Sequence, residues 1–78
     1  MKVTDYFKHV SSRPGRTHIK REWVQRVVNN PEKRHIQSDG RWRLWGRVPE
    51  AENRYLRVMV LEDGETVHNA FFDRRYKG

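Results

Sequence analysis

The sequence predicts an α+β domain in which an N-terminal helix or helices pack on a three- to four-stranded antiparallel sheet. Three observations carry that expectation. Apolar residues recur at helical spacing between Ile19 and Asn30, they alternate with polar ones from Arg41 onward, and short turn signals separate the alternating stretches.

The N-terminal stretch Tyr6-Phe7-Lys8-His9-Val10 suits either a short strand or the first turn of a helix reaching toward Arg13. We expect a short helical turn around His9, broken by Pro14-Gly15. Next, Ile19, Trp23, Val24, Val27 and Val28 trace one side of a helix, while Lys20, Arg21, Glu22, Gln25 and Arg26 face water. That helix is expected to stop at Asn29-Asn30-Pro31, because proline disfavours helical backbone in the residue before it and asparagine tolerates a left-handed turn. Its β-branched valines lower the intrinsic propensity, so packing must hold it.

Strands are expected after Pro31. Lys33 to Gln37 suits a short one, followed by the turn Ser38-Asp39-Gly40. From Arg41 to Val48, Trp42, Leu44 and Val48 point one way and Arg41, Arg43, Trp45 and Arg47 the other. A polar loop spans Pro49 to Asn53. Arg54 to Leu61 then sets Leu56, Val58 and Val60 on one face against Tyr55, Arg57, Met59 and Leu61 on the other. After the turn Glu62-Asp63-Gly64-Glu65, Thr66 to Phe72 completes a meander that the helical material can cover on one face.

Seventy-eight residues suffice for one small domain, 1–78, and leave no room for a large substrate-enclosing cavity. Only 35% of the chain is hydrophobic, yet three Trp, three Tyr and three Phe supply large rings to bury, which argues against full disorder. The absence of cysteine excludes a disulfide framework and thiolate-rich zinc or iron–sulfur sites, and fits a reducing cytoplasm. No apolar run approaches the roughly 20 residues that cross a bilayer. A soluble cytoplasmic protein without membrane association is therefore expected. Four scattered histidines make a poor metal site, and no glycine-rich phosphate loop or Ser/His/Asp order occurs, so neither metal nor cofactor is expected.

Charge is the strongest functional signal. The net charge is +7, and up to Arg47 there are 12 Lys+Arg against 4 Asp+Glu, a net of +8; beyond it 5 stand against 6, a net of −1. A basic face built from the first three-fifths of the chain predicts attraction to polyanions, of which RNA or DNA phosphate is the commonest. The face of Arg41, Arg43, Trp45 and Arg47 suits RNA, with guanidinium groups on phosphate and an indole stacked on a base. Two other readings of it stand: a solvated face whose arginine stems cover aromatic rings, or an apolar patch of Trp45, Tyr55 and Met59 covered by a partner. The basic end Arg74, Arg75, Tyr76 and Lys77 is either an untethered tail or a further phosphate contact.

Several pieces also occur in a characteristic order: His9 with Arg13, Arg16 to Ile19 leading into the helix, Asn30-Pro31-Glu32, Asp39-Gly40-Arg41, Tyr55-Leu56-Arg57-Val58 and Ala70-Phe71-Phe72-Asp73-Arg74. Together they cover nearly the whole chain and resemble the DUF4258 domains, which look related to BrnT-like and RelE/ParE-like toxins of bacterial toxin–antitoxin pairs. Lys20 and Asn69 depart from the resemblance, which favours a small polar residue opening the helix and a threonine before the final Ala-Phe. The resemblance implies a RelE-like fold, a metal-independent endoribonuclease activity and an acidic antitoxin as partner.

Metal-free RNA cleavage needs a base for the 2′-hydroxyl, cations for the phosphorane and an acid for the leaving oxygen. His9 can exchange a proton near neutral pH, Arg13 and Arg16 can hold phosphate bidentately, and His68 or Tyr76 can supply the second proton transfer. Residues four apart share one face of a helix, which gives the spacing of His9 and Arg13 its meaning. The competing reading has His9 capping or packing locally and Arg13 paired with Asp5 or Glu22. Beside an RNA-binding enzyme, the sequence therefore admits a non-catalytic module that binds nucleic acid, and a structural or regulatory protein whose basic face meets an acidic one.

Overall fold

Thr4 opens the first helix, because its side-chain oxygen accepts from the Phe7 amide at 3.0 Å and so satisfies a donor that the first turn leaves free. In the computed structural model, which describes residues 1–14 and 18–77, this helix α1 runs Asp5–Ser11 and buries Phe7 and Val10. Just before it, Val3 makes a parallel bridge to Val67, so the N-terminus contributes both a helix and a scrap of strand. Helix α2 follows at Arg21–Asn29, two residues shorter at its start than the apolar spacing suggests. Lys20 occupies the N-cap without a side-chain hydrogen bond, the consequence of having no small polar residue there. The other end also differs from expectation. Asn30 has φ −149° rather than a left-handed value, and its amide closes the helix on Arg26 O at 3.0 Å.

The sheet is a four-stranded antiparallel meander in the order β1-β2-β3-β4, with strands Lys33–Ile36, Trp42–Val48, Arg54–Val60 and Val67–Phe72. Gly40 and Gly64 take φ of +89° and +73° in the two tight turns, where a side chain would be strained. The acidic residues of the second turn hold it together. Asp63 accepts from the amides of Glu65 and Thr66 and from the Thr66 hydroxyl, bonds that lower its carboxyl to about 2. Between β2 and β3 the expected polar loop contains one 3-10 turn, Pro49–Ala51, followed by left-handed Glu52 and Asn53.

Both helices lie on one face of the sheet. Trp23, Val24 and Val27 of α2 and Phe7 of α1 join Leu44, Val48, Leu56, Val58, Val60, Val67 and Ala70 in a single core. Gly46 makes the approach of α2 feasible, since a Cβ there would stand 2.8 Å from a Val27 methyl. Among the described residues the opposite face of the sheet carries no helix, and strand register decides which side chains share it.

Candidate nucleic-acid interface

Because Leu44, Gly46 and Val48 face the helices, Arg43, Trp45 and Arg47 project from the other side of β2. Register then builds rows across the open face. His35, Arg43, Met59 and Asn69 form one row, and Lys33, Trp45, Arg57 and Phe71 the next. Arg47 and Tyr55 begin a third, which Asp73 extends by donating its amide to Tyr55 O at 2.9 Å. Four permanent cations, Lys33, Arg43, Arg47 and Arg57, thus share a surface with the carboxylate of Asp73.

That carboxylate organises the centre. Asp73 Oδ2 accepts from Trp45 Nε1 at 3.1 Å, Oδ1 accepts from the Arg75 amide at 3.0 Å, and Arg57 Nη1 stands 3.6 Å from Oδ2. The indole donor, aided by the Arg75 amide and the Arg57 charge, holds the Asp73 carboxyl below its usual range. Arg57 lies against two rings, with its guanidinium carbon 6.0 Å from the Trp45 centroid and 5.0 Å from that of Phe71. Its Nε is buried and has no hydrogen-bond partner among the described residues.

The sequence suggests Trp45 as an open stacking platform, and the structure corrects this. Trp45 is only 8% exposed because Tyr76 stacks on it, centroids 5.1 Å apart and planes 15° from parallel. Tyr76 also meets Tyr55 edge-on at 4.8 Å, and Lys33 Nζ lies 5.9 Å from its centroid. The apolar patch of Trp45 and Tyr55 is therefore covered by the chain's own C-terminus, and the basic tail is tethered. One anchored tyrosine fixes exposed Arg74, Arg75 and Lys77 at the margin of the open face.

The remaining candidates lie elsewhere. His9 is exposed on α1, and Arg13 is exposed beyond the end of that helix, its amide bonded to Val10 O at 3.2 Å. Arg16 falls outside the described residues. His68 is the extra residue of a bulge where Met59 opposes Asn69 and Val60 opposes Val67. Its Nδ1 is 3.0 Å from Thr4 Oγ1, and its ring stacks on Tyr6 at 4.8 Å. Arg41 sits before β2 in a surface depression shared with Glu62 and Asp63, while Arg47 is exposed and its amide donates to Glu32 Oε2 at 2.7 Å. Arg43 is half-buried, and turning the Gln37 amide lets its oxygen accept from Arg43 Nε and Nη2 at 2.6 Å. The structure thus groups Arg43, Trp45, Arg47 and the tail, and keeps His9, Arg13 and His68 with α1.

Lys33, His35, Arg57 and Asp73 belong to this surface but are not singled out as site residues by the sequence. The alternation within β1 and β3 gives their parity, but only register places Lys33 and Arg57 on either side of Trp45. Among the described residues no group of three or more His, Asp or Glu is arranged to hold a metal ion, and no helix is long and apolar enough to cross a membrane. Comparison with protein-family models, with curated proteins and with solved structures finds no match for this chain.

Proposed function

We propose that this chain is a cytoplasmic RNA-binding protein of the DUF4258 and RelE-like toxin type, which holds single-stranded RNA on the open face of its sheet. The observation that carries the reading is the concentration of Lys33, His35, Arg43, Arg47 and Arg57 on one face, where the nearby carboxylates of Asp73 and Glu32 are already engaged by the Trp45 indole and the Arg47 amide. Exposed Arg74, Arg75 and Lys77 extend that charge along the margin. An unpaired strand suits the surface because guanidinium groups and aromatic edges meet phosphate and base without needing a groove. An acidic protein, the antitoxin of such a pair, would compete for the same cations.

Labelled single-stranded RNA followed by fluorescence anisotropy tests this. Affinity should fall with salt at a log–log slope of about one per neutralised phosphate. No binding at low salt would remove the reading.

A second reading, metal-independent cleavage, draws on the α1 corner. Tyr6 stacks on His68 and precedes His9 by one helical turn, so two imidazoles and a phenol share one corner of the molecule. If that corner cleaves RNA, His9→Ala and Arg13→Ala should each abolish cleavage while circular dichroism stays unchanged. Arg13→Lys should rescue only in part, because an ammonium lacks the guanidinium fork. Cleavage that survives both alanine changes would remove the corner from the chemistry.

A further inference from the structure

At the edge of the open face, where the β2–β3 turn meets the C-terminal tail, a cavity of about 220 Å³ is lined in part by Asn53, Arg54, Tyr55, Asp73, Arg74 and Tyr76. We propose that it is a subsite for a single unpaired nucleotide, with the phosphate on Arg54 and Arg74 and the base against Tyr55 and Tyr76. The proposal rests on the RNA-binding reading and names what one unit of the strand does there.

Size limits the ligand first. The cavity is smaller than the roughly 300–1,000 Å³ of sites that enclose a whole drug-sized molecule, which leaves room for one base and its phosphate. Arg54 is preorganised for an anion. Its Nε donates to Ala51 O at 3.0 Å and its guanidinium carbon lies 4.1 Å from the Phe72 centroid, while it forms no ion pair among the described residues. An arginine held on a ring with its two Nη groups unclaimed offers the bidentate fork that phosphate takes. Arg74 stands exposed as the second cation.

The wall is suited to a base. Tyr55 and Tyr76 meet edge-to-face at 4.8 Å, so one ring supports the other, and Tyr76 is held from behind by Trp45. Asn53 brings an amide that can both donate and accept along a base edge. The backbone there is unusual. Glu52 and Asn53 both take positive φ, 61° and 60°, without being glycine, a costly conformation that tends to persist at binding sites.

The test uses the full chain labelled with nitrogen-15 and titrated with adenosine 5′-monophosphate, with ribose 5-phosphate and with an RNA hexanucleotide. The monophosphate should shift the Asn53 side-chain amide and the backbone amides of Tyr55, Asp73 and Arg74, and the hexanucleotide should shift the same signals. Ribose 5-phosphate should bind about tenfold more weakly, because it lacks the stacked base. Arg54→Gln should weaken the monophosphate about tenfold or more through loss of a charge-assisted contact. Arg74→Ala, which removes an exposed side chain, should act in the same direction and keeps the test valid if Arg54→Gln unfolds.

Three results would overturn the proposal: silence of these signals while RNA shifts Lys33 and Arg43, equal binding of monophosphate and ribose 5-phosphate, or a response to monophosphate that the hexanucleotide does not share. RNA that leaves Lys33 and Arg43 unmoved would instead defeat the parent reading.

Discussion

The two faces of this sheet are built by different means. On the helix side, strand alternation and helix period converge on a core in which Val48, Leu56, Val58, Val60 and Val67 are fully buried, so apolar contact area does most to fix the arrangement. On the open side, among the described residues, the strands are covered by the chain's own last residues, and order comes from the Asp73 carboxylate, three stacked or edge-on rings and cations laid over them. A close-packed core feels a single polar change or the loss of a ring throughout the domain, whereas a face tied by a few directional contacts can be altered locally without unfolding it. That difference leaves the open face free to vary in charge without loss of the fold.

The largest expected effect breaks the helix side. Trp23 covers the sheet from α2 and meets Phe72 at 6.3 Å between centroids. Trp23→Ala should cost about 3–5 kcal/mol, a large part of the stability of a domain this size, and thermal melting reads it. A melting temperature within a few degrees of the parent would mean that α2 does not support the fold as described.

Tyr76→Ala probes the open face and should cost only about 1 kcal/mol, the scale of an aromatic pair. Its signature is local. The Trp45 indole should become exposed to a fluorescence quencher, while amide exchange in α1 and β3 stays at parent values. Global loosening would show that the tail is part of the core.

The smallest effect is a pH dependence. Because folding lowers the Asp73 carboxyl from 3.8, its contribution is complete above the ordinary aspartate range and is lost as pH falls through the folded value. Tyr76 ring signals in NMR should therefore keep their stacked shifts from about pH 8 to about pH 4.5 and move only below about pH 4. Movement that begins above the ordinary aspartate range would show that Asp73 does not hold the ring in place.

Most of the architecture was legible because it follows from local patterns. Each of the four strands lies within one residue of its expected ends, since period-two alternation and Gly40 and Gly64 mark them directly. The α2 start was misjudged because Ile19 continues the apolar spacing and packs on the core although the helix begins only after Lys20. Thr4 ahead of Asp5 was a usable cap signal for α1, and the expected turn around His9 proved to be one part of a longer helix. The site was less legible. Tyr76 on Trp45 and Asp73 on its indole join residues far apart in the chain, and no local pattern announces such a pair. Nor does local pattern give the bulge that sets His68 apart, which depends on the register of β3 against β4.

The central claim is that position on the open face, rather than net charge, binds RNA, and a pair of double variants of equal charge tests it most directly. Lys33→Glu with Arg43→Glu reverses two cations of the open face, while Lys8→Glu with Arg21→Glu reverses two exposed cations of the helix layer. Measured by anisotropy at one salt concentration, the open-face pair should lose at least about tenfold in affinity and flatten the salt slope by about two. The helix-layer pair should stay within about threefold of the parent, the remainder being long-range screening. Equal losses for both pairs would contradict the account, because they would show that RNA responds to the charge of the whole molecule and not to this face.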